Sequence, residues 1–351
     1  MADIVEAINQ RNLLRFSGGK NGVRIPIATK LILGFLLVIF ITSIFFIAAG
    51  VQLIGSRVVS EAQEKVRNDL NAAREIYLSE LGQVNALVRF TADTFFLRDA
   101  LLSGDMEQAT NELLRIRARE GLDFLSVTDQ SGNVLLRTSN VELLGDNQSH
   151  NELISAALSR QGPVAGTTLV AAEDLQMESP LLAEQAYFKF IDTPKARVRE
   201  ATEETRGMML MAAAPVHDYQ NNLIGVLYGG SLLNRNYDIV DKTKRTVFQD
   251  LKYSGKDIGT ATIFQDDVRI STNVKNEDSS RAIGTRVSEE VYDYVVEQGG
   301  TWIGRAYVVN DWYITAYEPI RNINDEIIGI LYVGILEQKY LDTKRRTILI
   351  F

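Results

Sequence analysis

One motif occurs twice in this sequence, and the repeat limits the folds that the chain can adopt. The stretch NNLIGVLYGG begins at Asn221, and DEIIGILYVG begins at Asp325. Four residues of the first copy recur 104 positions later, where Pro215, Gly225, Tyr228 and Gly230 match Pro319, Gly329, Tyr332 and Gly334. A repeat of this kind predicts two modules with the same fold.

The repeat extends over a complete pattern of strands and one helix. FLSVTD and VLLRTS predict a hairpin around the turn QSGN, and SHNELISAALSRQG predicts a short amphipathic helix. PVAGTTLV, GMMLMAAAPV and LIGVLYGGSLL predict three further strands. The same order returns between ATIFQDDVRISTN and IIGILYVGIL. The sequence therefore predicts the α+β class, with two tandem modules that each have an antiparallel sheet.

An uncharged apolar run from Leu31 to Ser56 predicts a membrane-spanning helix. About 20 apolar residues cross a bilayer core, and this run is longer. A cleaved signal peptide has a shorter apolar region and a shorter leader. We therefore expect a cytoplasmic segment at 1–30 and a membrane helix at 31–55. The basic residues that predict a cytoplasmic N-terminus are Arg11, Arg15, Lys20, Arg24 and Lys30.

A long amphipathic helix is predicted after the membrane segment, over 56–104. Apolar residues recur at steps of three and four from Val59 to Val88, with charged residues between them. A helix of about 45 residues would be roughly 65 Å long. We expect such a helix to form either a dimer seam or a spine for the domains that follow.

The repeat predicts a membrane-distal module at 105–235 and a membrane-proximal module at 236–340. The first copy carries an insertion of about 35 residues at 171–207, and insertions of this length are usually functional or disordered. Its mixture of apolar and charged residues predicts at least partial order. Residues 341–351 end in TILIF, and we interpret them as the start of a second membrane helix; the alternative is a frayed tail.

Composition excludes several kinds of site. The absence of cysteine and the presence of only His150 and His217 argue against disulfides, thiolate chemistry and a histidine-rich metal site. A net charge of −8 argues against nucleic-acid binding. The adjacent Asp266 and Asp267 are expected at a turn and not as an acid–base pair. We expect no catalytic residue, metal or cofactor in this chain, and whether the full-length protein is an enzyme stays open.

Several lines of the sequence resemble the double Cache sensor domains of bacterial transmembrane receptors. The resemblance covers roughly Arg57 to Tyr340 and is specific to the type in which Cache 3 and Cache 2 modules are fused. It implies a PAS-like fold in each module and the sensing of a small molecule. The lines that carry it are TEETRGMMLMAAAPV, IGVLYGGSLLNRNY, GKDIGTATIFQDDVRISTNV, AIGTRVSEEVYDYVVEQG, VVNDWYITAYEPI and GILYVGILEQKY.

The resemblance also implies a location, an output and partners. Residues from about 56 to 346 would be periplasmic in a protein of the inner membrane. The output would be a two-component sensor histidine kinase, and a methyl-accepting chemotaxis receptor is the alternative. The expected partners are a small-molecule ligand, the membrane and a second copy in a homodimer, but no nucleic acid.

In the second module, aromatic and cationic side chains fall on the strands that would line a pocket. Aromatic walls exclude water and a guanidinium binds a carboxylate bidentately, so we expect a small carboxylate or amine as the ligand. The alternative is that these rings belong to the core. The candidates in this module are Arg269, Trp302, Arg305, Tyr307, Trp312, Tyr313 and Tyr332.

In the first module, Arg206 precedes a strand of methionine and alanine residues, Met208 to Ala214, whose small members leave room above the sheet. The arginine would then anchor an anion. The alternative is that Arg206 pairs with Glu203 and Glu204 on the surface. The insertion leads us to prefer this module for ligand binding. The candidates in this module are Arg137, Tyr187, Lys189, Arg206 and Tyr228.

A second hypothesis gives the modules a structural role, as a stalk for dimerisation or for docking of a partner. A polar cavity above either sheet, with Arg206 or Arg305 facing inward, would favour sensing. A packed interior with both arginines facing outward would favour the stalk.

Overall fold

The structure is a computed structural model and describes residues 26–350. Residues 1–25 of the predicted cytoplasmic segment 1–30 lie outside the described residues. Phe351, the last residue of the predicted segment 341–351, also lies outside them. The described chain divides into two units. One ends at Gly55, and the other comprises Ser56–Ile350 and contains both predicted modules.

The first unit consists of the apolar part of helix α1, which spans Ile27–Ala92. Within residues 26–350, α1 is the one helix that is long and apolar enough to cross a membrane. None of the residues in its most apolar stretch is buried. The predicted membrane segment at 31–55 lies within this helix.

The predicted helix over 56–104 is interrupted at residues 93–94. Thr94 has an extended backbone, and its hydroxyl donates to the carbonyl oxygen of Thr91 at 2.7 Å. Threonine at such a position competes with the helical hydrogen bonds and starts a new helix instead. The helices after α1 are α2 (Phe95–Ser103), α3 (Glu107–Glu120), α4 (Glu152–Arg160), α5 (Ala172–Glu178), α6 (Pro180–Ala186), α7 (Asp238–Phe248), α8 (Glu289–Tyr292, continued by a π-helical turn at Asp293–Glu297) and α9 (Glu337–Ile350).

Two five-stranded antiparallel sheets form the modules. The distal sheet has the order β2-β1-β7-β6-β3 and the proximal sheet the order β11-β10-β14-β13-β12, so both use the same topology. The predicted duplication and the α+β class are thereby confirmed. The strands are β1 (Phe124–Asp129), β2 (Val134–Arg137), β3 (Val164–Val170), β4 (Phe188–Lys189), β5 (Glu203–Glu204), β6 (Gly207–His217), β7 (Leu223–Leu232), β8 (Lys252–Tyr253), β9 (Lys256–Asp257), β10 (Gly259–Gln265), β11 (Val268–Thr272), β12 (Trp302–Val308), β13 (Asp311–Arg321) and β14 (Ile327–Leu336).

The repeated glycines have a steric explanation. A Cβ atom on Gly225 would lie 2.4 Å from the carbonyl oxygen of Thr128 on the neighbouring strand, and one on Gly329 would lie 2.2 Å from that of Phe264. Both distances are far shorter than a van der Waals contact. The repeated motif therefore contains glycine where the central strands β7 and β14 lie against a carbonyl oxygen of β1 and of β10.

One face of each sheet packs on the part of α1 that belongs to the second unit. Val66 and Leu70 of α1 share a continuous core with Leu210 of the distal sheet and Ile263 of the proximal sheet. The predicted apolar stripe is thus covered by the chain itself, although Val59 at its start is 50% exposed. The helix acts as a spine for both modules, and the homodimer stays a prediction.

The opposite faces of the two sheets form separate cores. The distal face packs against α4, α5 and α6 through residues such as Leu153, Leu175 and Leu182. The proximal face packs against the segment after β11, which includes Val287 and Val291. These are the faces above which a ligand would lie in each module.

The insertion contains α5, α6, β4 and β5, and it connects the two modules. Its Arg197 and Arg199 donate to Asp266 and Asp267, in the turn between β10 and β11, at 2.7 to 3.3 Å. Asp267 has no exposed side-chain surface and also accepts two hydrogen bonds from Arg286, at 2.6 and 2.9 Å. The adjacent aspartates lie at a turn, as expected, and pair with the arginines of the insertion.

A second joint between the modules is formed by the loop between β13 and β14. A Cβ atom on Gly166 of β3 would lie 2.5 Å from Cγ2 of Ile323. Asn322 and Asn324 donate to Oε2 of Glu152 in α4, at 3.1 and 2.8 Å. The proximal hairpin therefore lies directly against β3 and α4 of the distal module.

We predict that Gly166→Ala lowers the free energy of unfolding by about 1–3 kcal/mol, because the added methyl group overpacks the contact with Ile323. Gly162→Ala is the matched control, since its Cβ would meet only the carbonyl oxygen of Arg160, at 3.9 Å. Denaturant unfolding of the full chain in detergent measures both. The double variant Gly166→Ala/Ile323→Ala should recover part of the loss. Equal midpoints for the two glycine variants would contradict the tight joint.

Candidate ligand-binding faces

The proximal face carries a row of aromatic and hydroxyl side chains. Tyr332 lies opposite Tyr317 on one side and opposite Thr262 on the other, and Trp302 lies opposite Tyr317. The ring centroids are 4.8 Å apart for Tyr317 and Tyr332 and 5.6 Å apart for Trp302 and Tyr317. The hydroxyl oxygens of Thr262 and Thr272 are 2.6 Å apart. Apolar walls with a few polar groups are typical of small-molecule sites.

Arg269 is buried in this face and has no counter-ion. The residue is 5% exposed, lies opposite Phe264, and holds its guanidinium 5.2 Å from the centroid of that ring. Nη1 donates to Oγ1 of Thr285 at 2.5 Å, while Nε is buried and has no hydrogen-bond partner. No carboxylate within residues 26–350 forms an ion pair with Arg269. Burial of an unpaired charge is costly unless another group compensates it.

Burial also governs the titration of the neighbouring groups. Desolvation lowers the pKa of Arg269 below its ordinary value, and the nearby tyrosines oppose this shift. Desolvation raises the pKa of Tyr332 to about 12, although the hydrogen bond with Thr260 and the charge of Arg269 act in the other direction. Desolvation likewise raises the pKa of Tyr313 and of Tyr317. All three tyrosines stay neutral near pH 7 and do not neutralise the guanidinium.

A short segment of backbone fixes Arg269. Its N–H donates to the carbonyl oxygen of Thr285, and its own carbonyl oxygen accepts from the N–H of Gly284, both at 2.9 Å. The carbonyl oxygen of Gly284 accepts in turn from the N–H of Ile191, in the insertion, at 2.9 Å. A Cβ on Gly284 would lie 2.9 Å from the carbonyl oxygen of Lys189. The insertion and Arg269 therefore contact the same segment.

The distal face has an equivalent row of polar groups, and all of them bind one carboxylate of the chain. Tyr228 and Arg137 both lie opposite Ser126. The Tyr228 hydroxyl, the Ser126 hydroxyl and Nε of Arg137 donate to Glu178 at 2.7, 2.8 and 3.1 Å. Arg137 also donates to both carboxylate oxygens of Asp146, at 2.6 and 2.7 Å. Arg137 is 0% and Glu178 4% exposed, so this cluster is buried and compensated within the chain.

The titration of the two partners follows from this arrangement. Burial raises the pKa of Glu178 above its ordinary value, and the charge of Arg137 and the three donors only partly offset that rise. Burial acts against the charged form of Arg137, but its hydrogen bond with Asp146 and the charge of Glu178 outweigh the burial and raise its pKa. Arg137 therefore stays charged, with two carboxylates beside it.

Glu178 comes from the insertion and ends α5. Ser179 has an extended backbone, because the residue before a proline disfavours the helical conformation, and α6 begins at Pro180. Upstream in α5, Oδ2 of Asp174 lies 2.9 Å from Nε2 of His150, and this contact connects the helix to the rest of the distal module. Sequence reasoning identified the insertion but missed Glu178. No local pattern marks it, since its donors lie 41 to 52 positions away in the chain.

Three predicted residues of the distal module lie outside this cluster. The Tyr187 hydroxyl donates to Glu203 at 2.9 Å, and the side chain of Lys189 is exposed. Arg206 is 46% exposed at its side chain and pairs with Glu204 at 2.9 Å. Arg206 thus pairs with Glu204, one of the two glutamates named in the alternative, although Glu204 itself is buried. Of the five predicted residues, the structure brings only Arg137 and Tyr228 together.

Three predicted residues of the proximal module also lie apart from Arg269. Arg305 stacks 3.7 Å from the centroid of Trp312 and donates to Glu337 at 2.6 Å, with 51% of its side chain exposed. Tyr307 lies 5.4 Å from Trp312, centroid to centroid. Arg305 is opposite Ile314, whose side chain belongs to the core on the α1 side of the sheet. Because side chains alternate along a strand, Arg305, Tyr307 and Trp312 lie on the α1 side of the sheet, whereas Arg269 lies on the opposite face.

A cleft of about 460 Å³ lies away from both faces, between α1, β3 and β13. Arg74 and Glu318 form an ion pair in it, and the Tyr77 hydroxyl lies 2.6 Å from Oγ1 of Thr167. Its main polar groups are thus paired within the chain, so we assign no ligand to it. In the described part of the chain, no three His, Asp or Glu side chains are grouped as metal ligands would be.

The second module matches a known family model. Residues 231–347 match the model described as Single cache domain 3. This match confirms the Cache resemblance for the second module. The residues of the proximal face, including Arg269 and the tyrosines, all lie within the matched range. The chain as a whole matches no curated protein.

Among solved structures, the chain is similar to extracytoplasmic domains of bacterial receptors. The periplasmic domain of Vibrio cholerae LuxQ is 15% identical, with 77% of this chain and 98% of that chain covered and a TM-score of 0.43. The sensor domain of the V. cholerae histidine kinase DctB is 12% identical, with 79% and 98% covered and a TM-score of 0.44. The ligand-binding domain of the Pseudomonas aeruginosa amino acid chemoreceptor PctB, in complex with L-Gln, is 13% identical, with 80% and 91% covered and a TM-score of 0.37.

We predict that Arg269→Met raises the free energy of unfolding of the ligand-free protein by about 1–3 kcal/mol, because it removes a buried charge with an unsatisfied donor. Arg286→Met is the matched control, since Arg286 also has little exposed surface, 11% of its side chain, but is paired with Asp267. The control should destabilise the protein. Denaturant midpoints of the two variants and the wild type measure the effect, and a loss of stability in both would contradict the unpaired state of Arg269.

A pH-dependent contribution is expected from the His150–Asp174 pair. The hydrogen bond with Asp174 raises the pKa of His150, so its contribution is complete below an unfolded pKa of about 6.5 and is lost as pH rises through the folded value. Both groups are partly exposed, so it should amount to about 0.2–1 kcal/mol. The test compares the unfolding midpoints of His150→Gln and of the control His217→Gln at about pH 5.5 and about pH 8.5. These two values lie on the order of one pH unit or more below and above the ordinary pKa of histidine. A change in pH dependence no larger in His150→Gln than in His217→Gln would refute it.

Proposed function

We propose that this protein is the extracytoplasmic small-molecule sensor of a membrane-bound signalling receptor and that its proximal module binds an anionic ligand. One observation carries the proposal: Arg269 is buried, without a counter-ion, in the face of a module that matches a Cache model. The apolar start of α1 supports attachment to a membrane. Residues from about 56 to 346 would then be periplasmic in a protein of the inner membrane.

The residues around Arg269 favour a small carboxylate as the ligand. A carboxylate would pair with the guanidinium and would satisfy the donor at Nε, with the larger gain because the site excludes water. Tyr317, Tyr332 and Trp302 provide aromatic walls, and Thr262 and Thr272 provide hydroxyl groups nearby. The ligand would thus supply the negative charge that no described residue provides for Arg269. An amine, the other class considered from the sequence, would be repelled by the arginine.

The path from this face to the end of the chain is short. Tyr332 is on β14, which continues without a break into α9 at Glu337. Two contacts hold the start of α9 to the module, from Arg305 to Glu337 and from the Tyr253 hydroxyl to Asp342 at 2.8 Å. A ligand that binds one arrangement of β14 and α9 more tightly shifts the population toward it. A histidine kinase is the output that we propose, with a chemotaxis receptor as the alternative.

The stalk remains the second candidate function, and one observation favours it. Arg206 and Arg305 both face outward, which is the arrangement that would favour a stalk. Arg137 and Arg269 are more deeply buried, however, and of these two Arg269 has no carboxylate partner in the described part of the chain. We therefore place sensing first.

The test is thermal unfolding of the full chain in detergent with acetate, succinate, L-malate or L-glutamate, against sodium chloride at the same ionic strength. A carboxylate that binds only the folded protein adds about 2.7 kcal/mol at a hundred times its Kd. This stabilisation should be absent in Arg269→Met and retained in Arg305→Met, which removes an exposed arginine. Retention in Arg269→Met would refute the site, and a wild type that no carboxylate stabilises would favour the stalk.

A further inference from the structure

The two modules treat a buried arginine in opposite ways. In the proximal module no carboxylate of the described residues reaches Arg269. In the distal module the equivalent face presents three donors, from Tyr228, Ser126 and Arg137, and a carboxylate of the chain accepts from all of them. That carboxylate is Glu178, which belongs to the insertion, and the second copy of the module has no such insertion.

The position of Glu178 is unfavourable by local criteria. A negative charge at the C-terminus of a helix opposes the helix dipole, and Glu178 is the last residue of α5. Its burial adds a desolvation cost. A carboxylate at such a position is stabilised only by the groups that donate hydrogen bonds to it, which here are the donors of the distal face.

We propose that Glu178 is a built-in carboxylate ligand of the distal module, which holds α5 and α6 closed over the face that a diffusible carboxylate would otherwise occupy. The insertion thereby fixes the state of the distal module. This inference concerns the distal module and does not depend on the function proposed for Arg269.

The same segment continues from the distal face to the proximal module. Beyond α6, the N–H of Ile191 donates to the carbonyl oxygen of Gly284, and Oγ1 of Thr193 accepts from the N–H of Arg286 at 3.0 Å. Gly284 and Arg286 flank Thr285, whose hydroxyl accepts from Arg269. The built-in ligand thus anchors a segment that also contacts the backbone on both sides of Thr285.

The test removes the carboxylate of Glu178 and returns it as a free molecule. Glu178→Ala deletes the atoms of an acetate ion, so acetate is the matched probe and acetamide its neutral control. The full chain is used in an Arg269→Met background, which removes any response from the proximal face. Hydrogen exchange of residues 172–186 reports on the closure of α5 and α6, and Glu173→Ala, an exposed glutamate of the same helix, is the matched control.

We expect exchange in 172–186 to be roughly ten- to hundredfold faster in Glu178→Ala than in Glu173→Ala, since hydrogen bonds to a charged group are lost. Acetate should slow it again, whereas acetamide and sodium chloride should not. If Glu178→Ala is largely unfolded, acetate should restore the folded protein and acetamide should not. Glu178→Gln keeps the volume filled and should not respond to acetate.

Three results would overturn the inference. One is exchange in Glu178→Ala as slow as in Glu173→Ala, because Glu178 would then not hold the insertion. The second is an equal effect of acetate and acetamide on Glu178→Ala, which would mean that the donors do not recognise the carboxylate. The third is a response of Glu178→Gln to acetate as large as that of Glu178→Ala, which would place acetate elsewhere.

Discussion

The fold depends on the burial of one face of each sheet against the same helix. Val66 and Leu70 of α1 belong to one core with Leu210 and Ile263, which lie on different sheets. Because one apolar stripe serves both modules, the two sheets cannot be repacked independently. The faces that point away from α1 are freed from this role, and they are the faces that carry the buried arginines.

Charge compensation then separates the two modules. The three donors of the distal face are satisfied by Glu178, and Arg137 has Asp146 as well. Near Arg269 the neighbouring tyrosines are held neutral by desolvation, and they offer rings and hydroxyl groups but no charge. Duplication supplied the same scaffold twice, and the insertion made the two copies chemically different.

The sequence predicted the scaffold well and the site only in part. The repeat predicted two α+β modules with one topology, and steric contact at Gly225 and Gly329 explains why the motif recurs. Tyr332 and Arg269 were identified as candidates, and the structure brings them together on one face. Arg305 was chosen for its aromatic neighbours, but strand alternation places it on the other face of the sheet.

The sequence by itself determined the apolar segment, the spine helix and the duplicated sheets, because these follow from periodicities that are local in the chain. Only the tertiary structure decided which arginine is paired. Glu178 reaches Arg137 across 41 positions, and Arg197 and Arg199 reach Asp267 across about 70, through an insertion with no periodic pattern of its own. Charge pairing between distant segments depends on where the packed sheets place those segments, and no local sequence pattern predicts this placement.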